Sequence, residues 1–370
     1  MIDTAVPNSD WYSSDAVSAS QRFSAACTAR SIAVEAAIHP LPDPHGRPLS
    51  TDIAWFGPAN ASRLLVVVSG MHGLECLPGS AIQVGWIESG APDHLPADTA
   101  VLMVHQINPW GCAYQRRFNE NNVDLNRNFL DFSEPLPSNT KYPTVHDALK
   151  PGGGMGDFGE QAGPFLGGLV AEHGIEDTID LLMAGQHQFP DGFAYGGQDA
   201  SWSRALLERV ATIDKALRRR VCYLEIHSGL GPYGYGQLIS LQFGAVLART
   251  RHWFGQWVFN PRADRKPGEA GHREVPGHSA DGFMRLFPDA EVTPVTLEMG
   301  TYSPPETLAL LMREHCLHQA ADAAPAGELE MVRSQLQEMH CPADPEWRAA
   351  NWTRGMQVIR QALAGLNDDC

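Results

Sequence analysis

The sequence lacks long apolar runs and any regular spacing of cysteines. Apolar segments such as Leu64–Val68 are only strand-sized, whereas a membrane span needs ~20 residues. The seven cysteines, at positions 27, 76, 112, 222, 316, 341 and 370, are scattered and form no CxxC pair, which argues against a disulfide framework or a cysteine-rich zinc site. The residues before Pro42 lack the basic head and apolar stretch of a signal peptide. We therefore expect a cytoplasmic protein with no membrane partner.

Positive charge is also scarce. The chain has 27 basic and 43 acidic residues among 370, a net charge of −16, and this balance disfavours unspecific binding to nucleic acid or to an anionic membrane. An acidic substrate stays open, because a local arginine pocket can outweigh the mean charge. With 43% apolar and 19% charged residues, the composition is typical of a globular protein with a sizeable core.

Buried strands alternate with helical patterns along the chain. Short apolar runs predict strands at 51–56, 64–68, 100–109, 221–227 and 291–300. Helical periodicity predicts helices at 14–37, 80–88, 165–185, 201–219 and 304–320, and two more within 328–366 that are separated by CPADP. This alternation predicts an α/β fold with a mixed, largely parallel central sheet and helices on both faces.

Regularity falls between residues 131 and 200, where prolines and a PGGG run interrupt the pattern. Long irregular segments in compact domains often serve as lids or binding loops. We therefore predict one catalytic domain over residues 1–325, with an insert at 131–200, followed by a helical C-terminal appendage over 326–370.

Four residues suited to metal chemistry lie at the ends of predicted buried strands: His72, Glu75, His227 and Glu298. The carboxyl ends of strands are where open α/β sheets place their sites. Two imidazoles and one carboxylate match a catalytic zinc, which keeps one position open. Each residue alone has an ordinary explanation, such as a hydrogen-bonded core histidine, but buried charges at several strand ends call for a common cause. Cys76, next to Glu75, is better explained as a small buried side chain.

A polar segment, Arg116–Phe129, lies between these strand ends. Arginine suits bidentate recognition of a carboxylate, and Asn126 beside Arg127 adds an amide donor. Composition alone favours the simpler interpretation, a polar surface loop with solvated arginines.

Several motifs, in this order, resemble the zinc metallocarboxypeptidases of the carboxypeptidase A-like family. They are HGLE at His72–Glu75, NPWG at Asn108–Gly111, DLNRNF at Asp124–Phe129, EIHSGLGPYGYG at Glu225–Gly236 and TLEMG at Thr296–Gly300. The resemblance covers roughly residues 50–320. It is strongest to a bacterial branch known only as a domain of unknown function, and it extends to aspartoacylase and succinylglutamate desuccinylase.

The resemblance implies a carboxypeptidase-like fold with one zinc per chain, bound by His72, Glu75 and His227. It implies Glu298 as general base, and Asn126 with Arg127 as the grip on a substrate carboxylate. For the arginine that polarises the scissile carbonyl, Arg117 is the first choice and Arg116 the second. No tyrosine matches the substrate-capping tyrosine of the digestive enzymes.

The substrate is less defined than the metal site. We expect a small N-acyl amino acid or the C-terminal residue of a short peptide, so an amidohydrolase and a true metallocarboxypeptidase both stay open. A non-enzymatic zinc-dependent binding protein is the third alternative, although such a module would be expected to lose the base or the arginines. The segment Gly185–Gly197 offers Gln186 and Tyr195 as further substrate contacts, or else is an ordinary surface loop.

Overall fold

The computed structural model describes residues 11–264 and 275–368. A single sheet runs through this part of the chain. Its strands are β1 (Val34–Ile38), β2 (Ser50–Phe56), β3 (Arg63–Ser69), β4 (Thr99–His105), β5 (Arg220–Ser228), β6 (Gly236–Ile239) and β7 (Glu291–Met299). Their order in the sheet is β1-β2-β4-β3-β5-β7-β6. Strands β3, β4, β5 and β7 pair in parallel, and β1, β2 and β6 join antiparallel at the two sides.

Helices cover the sheet, and three of them lie in the predicted insert at 131–200. They are α1 (Ala16–Ala29), α2 (Cys76–Glu88), α3 (Pro109–Ala113), α4 (Tyr142–Leu149), α5 (Ala162–His173), α6 (Ile175–Met183), α7 (Trp202–Ala211), α8 (Gly244–Phe254), α9 (Ser279–Leu286), α10 (Pro304–Gln319), α11 (Glu328–His340) and α12 (Pro345–Leu366). None of the helices in the described ranges is long and apolar enough to cross a membrane.

The two faces of the central strands have separate cores, because successive side chains of a strand point to opposite faces. Leu65 and Val67 of β3 pack with residues of α1, α2 and α12. Val66 packs on the other face with residues of α7 and α9. A strand buried on both faces needs an apolar residue at nearly every position, which is the pattern of β3. The predicted α/β fold with helices on both faces is confirmed.

The edge strands were not predicted. The first predicted helix, 14–37, is wrong in its second half: α1 ends at Ala29, and the chain turns at Ser31, whose φ is +57°. The chain then pairs as β1 with β2. Strand β6, which pairs antiparallel with β7, was also missed. Edge strands are half-exposed, so they carry no continuous apolar run that would predict them.

The C-terminal segment is built into the same core as the sheet. The two predicted helices and the break between them are confirmed as α11 and α12. Trp352 and Ile359 of α12 belong to the cluster that contains Val67, and the indole of Trp347 donates a hydrogen bond to Gly300 O at 2.8 Å. The predicted boundary at residue 325 thus separates segments that share one core in the folded chain.

The helices of the predicted insert share an apolar cluster with α10. Leu149, Leu166 and Leu182, from α4, α5 and α6, pack against Leu308 and Met312 of α10. The single helix predicted at 165–185 is instead two helices, because Gly174 adopts a φ of +81° between them. The last turn of α6 is thereby brought over the carboxyl ends of the central strands, where it lines a cavity.

Candidate active site

His72 and Glu75 lie in the tight turn that follows β3. A 3₁₀ turn, Gly73–Glu75, leads directly into α2. Residues three apart on such a turn lie on the same side, and His72 Nδ1 is 2.8 Å from Glu75 Oε1. A Cβ on Gly73 would lie 2.0 Å from the carbonyl carbon of Gly111, so only glycine allows the turn to pack against the NPWG segment.

His227 completes the group from the neighbouring strand. It is near the end of β5, and its Nδ1 lies 2.6 Å from Glu75 Oε2. The ligand atoms of His72, Glu75 and His227 all lie within 4.8 Å of one another, and the three residues are buried. The structure thus brings the three predicted ligands together. Two imidazole nitrogens and one carboxylate oxygen form the donor set of a catalytic zinc with one open position.

The outer nitrogen of each histidine faces a buried carboxylate. His72 Nε2 is 3.4 Å from Asp124 Oδ1, and His227 Nε2 is 2.5 Å from Glu225 Oε1. Burial alone would raise the pKa of Asp124, but the charges of Arg117 and Arg127 hold it well below its usual value. Carboxylates in this position orient the ring of a ligating histidine.

Asp124 and Glu225 were missed as site residues. Asp124 begins the DLNRNF motif, and Glu225 is an acidic residue inside an apolar strand, two positions before His227. Because alternate residues of a strand share a face, the spacing of Glu225 was a usable signal. A carboxylate on the same face as a candidate ligand, in a buried strand, needs a polar partner there.

Glu298 lies beside His227 on the adjacent strand, where β5 and β7 pair the two residues in register. Its Oε1 accepts a hydrogen bond from the backbone N–H of Leu230 at 3.0 Å. Burial, together with the negative charge of Glu75, raises the pKa of Glu298 to about 8. The side chain also lines the cavity, so a proton-accepting group faces the space next to the candidate ligands.

The two adjacent arginines have different environments. Arg117 lines the cavity, with its Nε 3.1 Å from Asp124 Oδ2 and its Nη2 2.8 Å from His72 Nε2. Arg116 is 1% exposed and donates from Nε to Glu314, 3.1 Å from Oε1. Arg117 is therefore the one of these two arginines that faces the cavity.

Asn126 and Arg127 also line the cavity, in the 3₁₀ turn Leu125–Arg127 that Asp124 caps. Asn126 Nδ2 donates to Glu225 Oε1 at 2.8 Å. Arg127 donates from Nε and Nη2 to the carbonyl of Met183, and from Nη1 to the carbonyl of Asn126. These bonds use three of the five N–H groups of a guanidinium and orient it with one N–H left on each terminal nitrogen.

Gln186 and Tyr195 lie inside the insert, and neither is among the cavity-lining residues. The Gln186 amide closes its own loop: Nε2 donates to Phe189 O at 2.8 Å and Oε1 accepts from Phe189 N at 2.7 Å. The Tyr195 ring is buried in the apolar cluster that contains Val66. The Tyr195 carbonyl accepts a hydrogen bond from Asp124 N at 2.7 Å. Gln186 and Tyr195 are therefore not placed for the expected substrate contacts. The Tyr195 carbonyl instead supports the turn that carries Asn126 and Arg127.

The cavity has a volume of about 250 Å³. One end is polar and contains the candidate ligands, Glu298, Arg117, Asn126 and Arg127. The walls are largely apolar, with side chains that include Ile179, Met183 and Ala184 of the insert, Leu230 after β5, Ile239 and Leu241 around β6, Pro261, Val275, and Leu308 and Leu311 of α10.

Two further histidines at the cavity, the half-buried His278 and the buried His340, were missed by the sequence interpretation. His278 caps the start of α9, where its Nδ1 accepts from Ala280 N at 3.2 Å, and burial lowers its pKa to about 4. His340 ends α11, and its carbonyl accepts from Ser228 Oγ at 2.7 Å. Neither belongs to a recognisable motif, since each reaches the cavity only through long-range packing.

Comparison with known proteins gives one family and several distant structural similarities. The family model described as "Protein of unknown function (DUF2817)" matches residues 12–354. None of the curated proteins matches the chain.

Three solved structures illustrate the similarity. Carboxypeptidase A from Helicoverpa armigera is 13% identical, covers 87% of this chain and 72% of its own, and has a TM-score of 0.44. Thrombin activatable fibrinolysis inhibitor is 13% identical, with coverages of 91% and 78% and a TM-score of 0.43. A succinylglutamate desuccinylase/aspartoacylase from Rhodobacter sphaeroides is 11% identical, with coverages of 79% and 64% and a TM-score of 0.38.

Proposed function

The chain belongs to the DUF2817 family, and we propose that it is a zinc-dependent hydrolase of an amide bond in a small, carboxylate-bearing substrate. One observation carries the proposal: the buried group His72, Glu75 and His227 has Glu298 beside it in register on the next strand. A donor set for a catalytic metal and a candidate general base thus face one cavity.

His72, Glu75 and His227 would hold one zinc ion per chain. When bound, zinc supplies a Lewis acid and a water whose pKa is lowered to about 7. Glu298 accepts a proton from the attacking water and delivers it to the leaving nitrogen. A carboxylate with a pKa near neutrality can do both at physiological pH, because it gains and loses a proton readily there. Burial and the charge of Glu75 raise the pKa of Glu298 to about 8, and a cation close to the carboxylate lowers this pKa again.

The arginines divide the work on the substrate. Arg117, next to His72, faces the place where negative charge develops on the carbonyl oxygen, and it stabilises that charge in a largely buried setting. Arg127 presents its two remaining terminal N–H groups to a substrate carboxylate, with Asn126 beside it. The contacts to Met183 O and Asn126 O hold the guanidinium in place before the substrate arrives.

The insert favours a small substrate. Its helix α6 contributes Ile179, Met183 and Ala184 to the walls of a cavity of about 250 Å³, at the small end of ligand sites. This supports an N-acyl amino acid or the last residue of a short peptide over a long chain. A true metallocarboxypeptidase acting on peptides is the alternative, and a zinc-dependent binding protein is the alternative without catalysis. We also propose a cytoplasmic location, on the basis of the scattered cysteines.

A screen of the purified protein with parallel metal analysis tests the function. N-acetyl amino acids and N-acylated dipeptides would be offered at pH 7.5, and zinc content would be measured on the same preparation. We expect about one zinc per chain and hydrolysis of an N-acyl amino acid, with the corresponding carboxamides cleaved far less. A zinc-loaded protein that cleaves neither class would support the binding alternative, and a protein that takes up no metal would overturn the proposal.

A further inference from the structure

Glu225 is a fully enclosed acidic side chain next to the candidate metal site. It lies on β5 between Tyr223 and His227, all three on the same face of the strand, and its exposed fraction is 0%. A carboxylate in such a place is costly unless each oxygen receives hydrogen bonds. The hydrogen-bond partners of Glu225 therefore indicate the role of the residue.

Each oxygen of Glu225 has two partners. Oε1 is 2.5 Å from His227 Nε2 and accepts from Asn126 Nδ2 at 2.8 Å. Oε2 accepts from Tyr223 OH at 3.2 Å and from the hydroxyl of Ser279. These four contacts leave neither carboxylate oxygen of Glu225 without a partner.

The first partner fixes how His227 is presented. Oε1 of Glu225 already accepts an amide hydrogen from Asn126, and a ring nitrogen 2.5 Å from the same acceptor oxygen is placed to donate, so Nε2 of His227 carries the hydrogen that points at Glu225. This leaves Nδ1, on the other side of the ring, as the nitrogen that faces Glu75 at 2.6 Å. The hydrogen bond therefore selects the tautomer and the ring orientation that suit coordination.

The second partner fixes the substrate side of the site. Asn126 gives one amide hydrogen to Glu225, while its Oδ1 accepts from the backbone N–H of Ser279 at 3.2 Å. The amide can take only one of its two orientations in this network. The same amide nitrogen lies 3.4 Å from His227 Nε2, and Asn126 lines the cavity.

We propose that Glu225 is a positioning residue, which holds the metal ligand His227 and the substrate anchor Asn126 in register through one carboxylate oxygen. This rests on the proposed function, because it presumes a metal at His227 and a carboxylate at Asn126. Removing the charge of Glu225 should lower the affinity for the metal and the affinity for the substrate together, although Glu225 contacts neither the metal nor the substrate.

The test is Glu225→Gln in the full-length protein, with Co²⁺ as the probe. Glutamine keeps the shape and can still accept from His227, while its amide group can donate to the hydroxyls of Tyr223 and Ser279. We expect Co²⁺ to bind about 10- to 100-fold more weakly than in the wild type, as measured by competition with a chelating dye. The visible absorption bands of the bound Co²⁺ should also shift, because the ligand field of His227 changes.

Glu314→Gln is the matched control, since Glu314 is a buried carboxylate that pairs with Arg116 and Arg333 outside the cavity. It should lower stability and leave both the Co²⁺ affinity and the spectrum unchanged. An equal loss of affinity in the two variants, or wild-type affinity and spectrum in a folded Glu225→Gln protein, would overturn the role of Glu225. At saturating metal, an unchanged KM for the hydrolysed substrate would overturn the part that concerns Asn126.

A wild-type protein that binds no Co²⁺ would instead count against the proposed function itself, so the two failures are distinguishable. Should Glu225→Gln fail to fold, Ser279→Ala takes its place, because it removes one donor from Glu225 without touching His227. We expect a smaller loss of Co²⁺ affinity in that variant, and an unchanged affinity would overturn the proposal.

Discussion

Arg116 and Arg117 are neighbours in the chain, yet their guanidinium groups belong to different parts of the molecule. Arg117 Nη2 lies 2.8 Å from His72 Nε2 at the cavity. Arg116 is buried, and its Nε donates to Oε1 of Glu314, a residue 198 positions away, at 3.1 Å. Arg117 lies at the cavity beside a candidate ligand, whereas Arg116 links α10 to the segment that carries the site.

Arg117→Ala should lower kcat by about 10²-fold or more, because a donor that stabilises developing charge is lost. Its KM should change much less, since Arg117 acts on the carbonyl and not on the substrate carboxylate. Steady-state kinetics on the zinc-loaded variant would measure both values. A rise in KM with normal kcat would move Arg117 from transition-state stabilisation to substrate binding.

Glu314→Gln should lower the free energy of unfolding by about 3–5 kcal/mol at pH 7, because Arg116 and Arg333 lose a buried counter-charge. Burial alone would raise the pKa of Glu314, but the two arginines lower it. Stability from a depressed pKa is present above the unfolded-state value and is lost as the pH falls through the folded-state value. The difference between wild type and variant should therefore shrink below about pH 4.

Urea unfolding at several pH values would measure this difference. Glu35→Gln is the control, because Glu35 pairs with Arg209 on the surface at 2.9 Å, where ion pairs contribute little. A constant difference between wild type and Glu314→Gln from pH 7 to pH 3.5 would contradict the expected titration.

His72→Ala and His227→Ala should each lose most of the zinc that the wild type retains after dialysis, since either change leaves two protein ligands. Metal analysis of the purified variants gives the occupancy. His252→Ala is the comparison, because that imidazole is 61% exposed and pairs with Asp368. Full zinc occupancy in either ligand variant would require a different metal site.

Glu298→Gln should keep its zinc and its fold but lose at least about 10² in kcat, because an amide cannot take the proton of the attacking water. Its Oε1 can still accept the hydrogen bond from Leu230 N, so the loop after β5 keeps its support. Kinetics and metal analysis on one preparation separate the two effects. Turnover near the wild-type value would show that another group is the base.

Arg127→Ala should raise KM about 10- to 100-fold for substrates with a free carboxylate, which corresponds to ~1.5–3 kcal/mol for a charged hydrogen bond. For the matching carboxamides the change should be small. The thermal midpoint should also fall, because the contact with Met183 O is lost. Equal losses for acids and amides would show that the effect comes from the altered insert instead of carboxylate recognition.

Local patterns in the sequence were enough to predict much of the sheet and the candidate metal-binding group. Strand β3 is apolar at nearly every position because both of its faces are covered, and this is visible without any partner. His72 and Glu75 are three apart in one turn, so their proximity is a local property. His227 and Glu298 could be added because the carboxyl ends of parallel strands meet at one edge of the sheet.

The tertiary structure alone decided which of the other polar side chains meet. Adjacent arginines look alike in sequence, and only the packing of α10 assigns Arg116 to Glu314 and leaves Arg117 at the cavity. His340 reaches the cavity from the C-terminal segment, and Gln186 is occupied by its own loop. Periodicity records whether a side chain is buried, but a hydrogen bond or ion pair depends on two distant segments arriving within about 3 Å of each other, which only the folded chain determines.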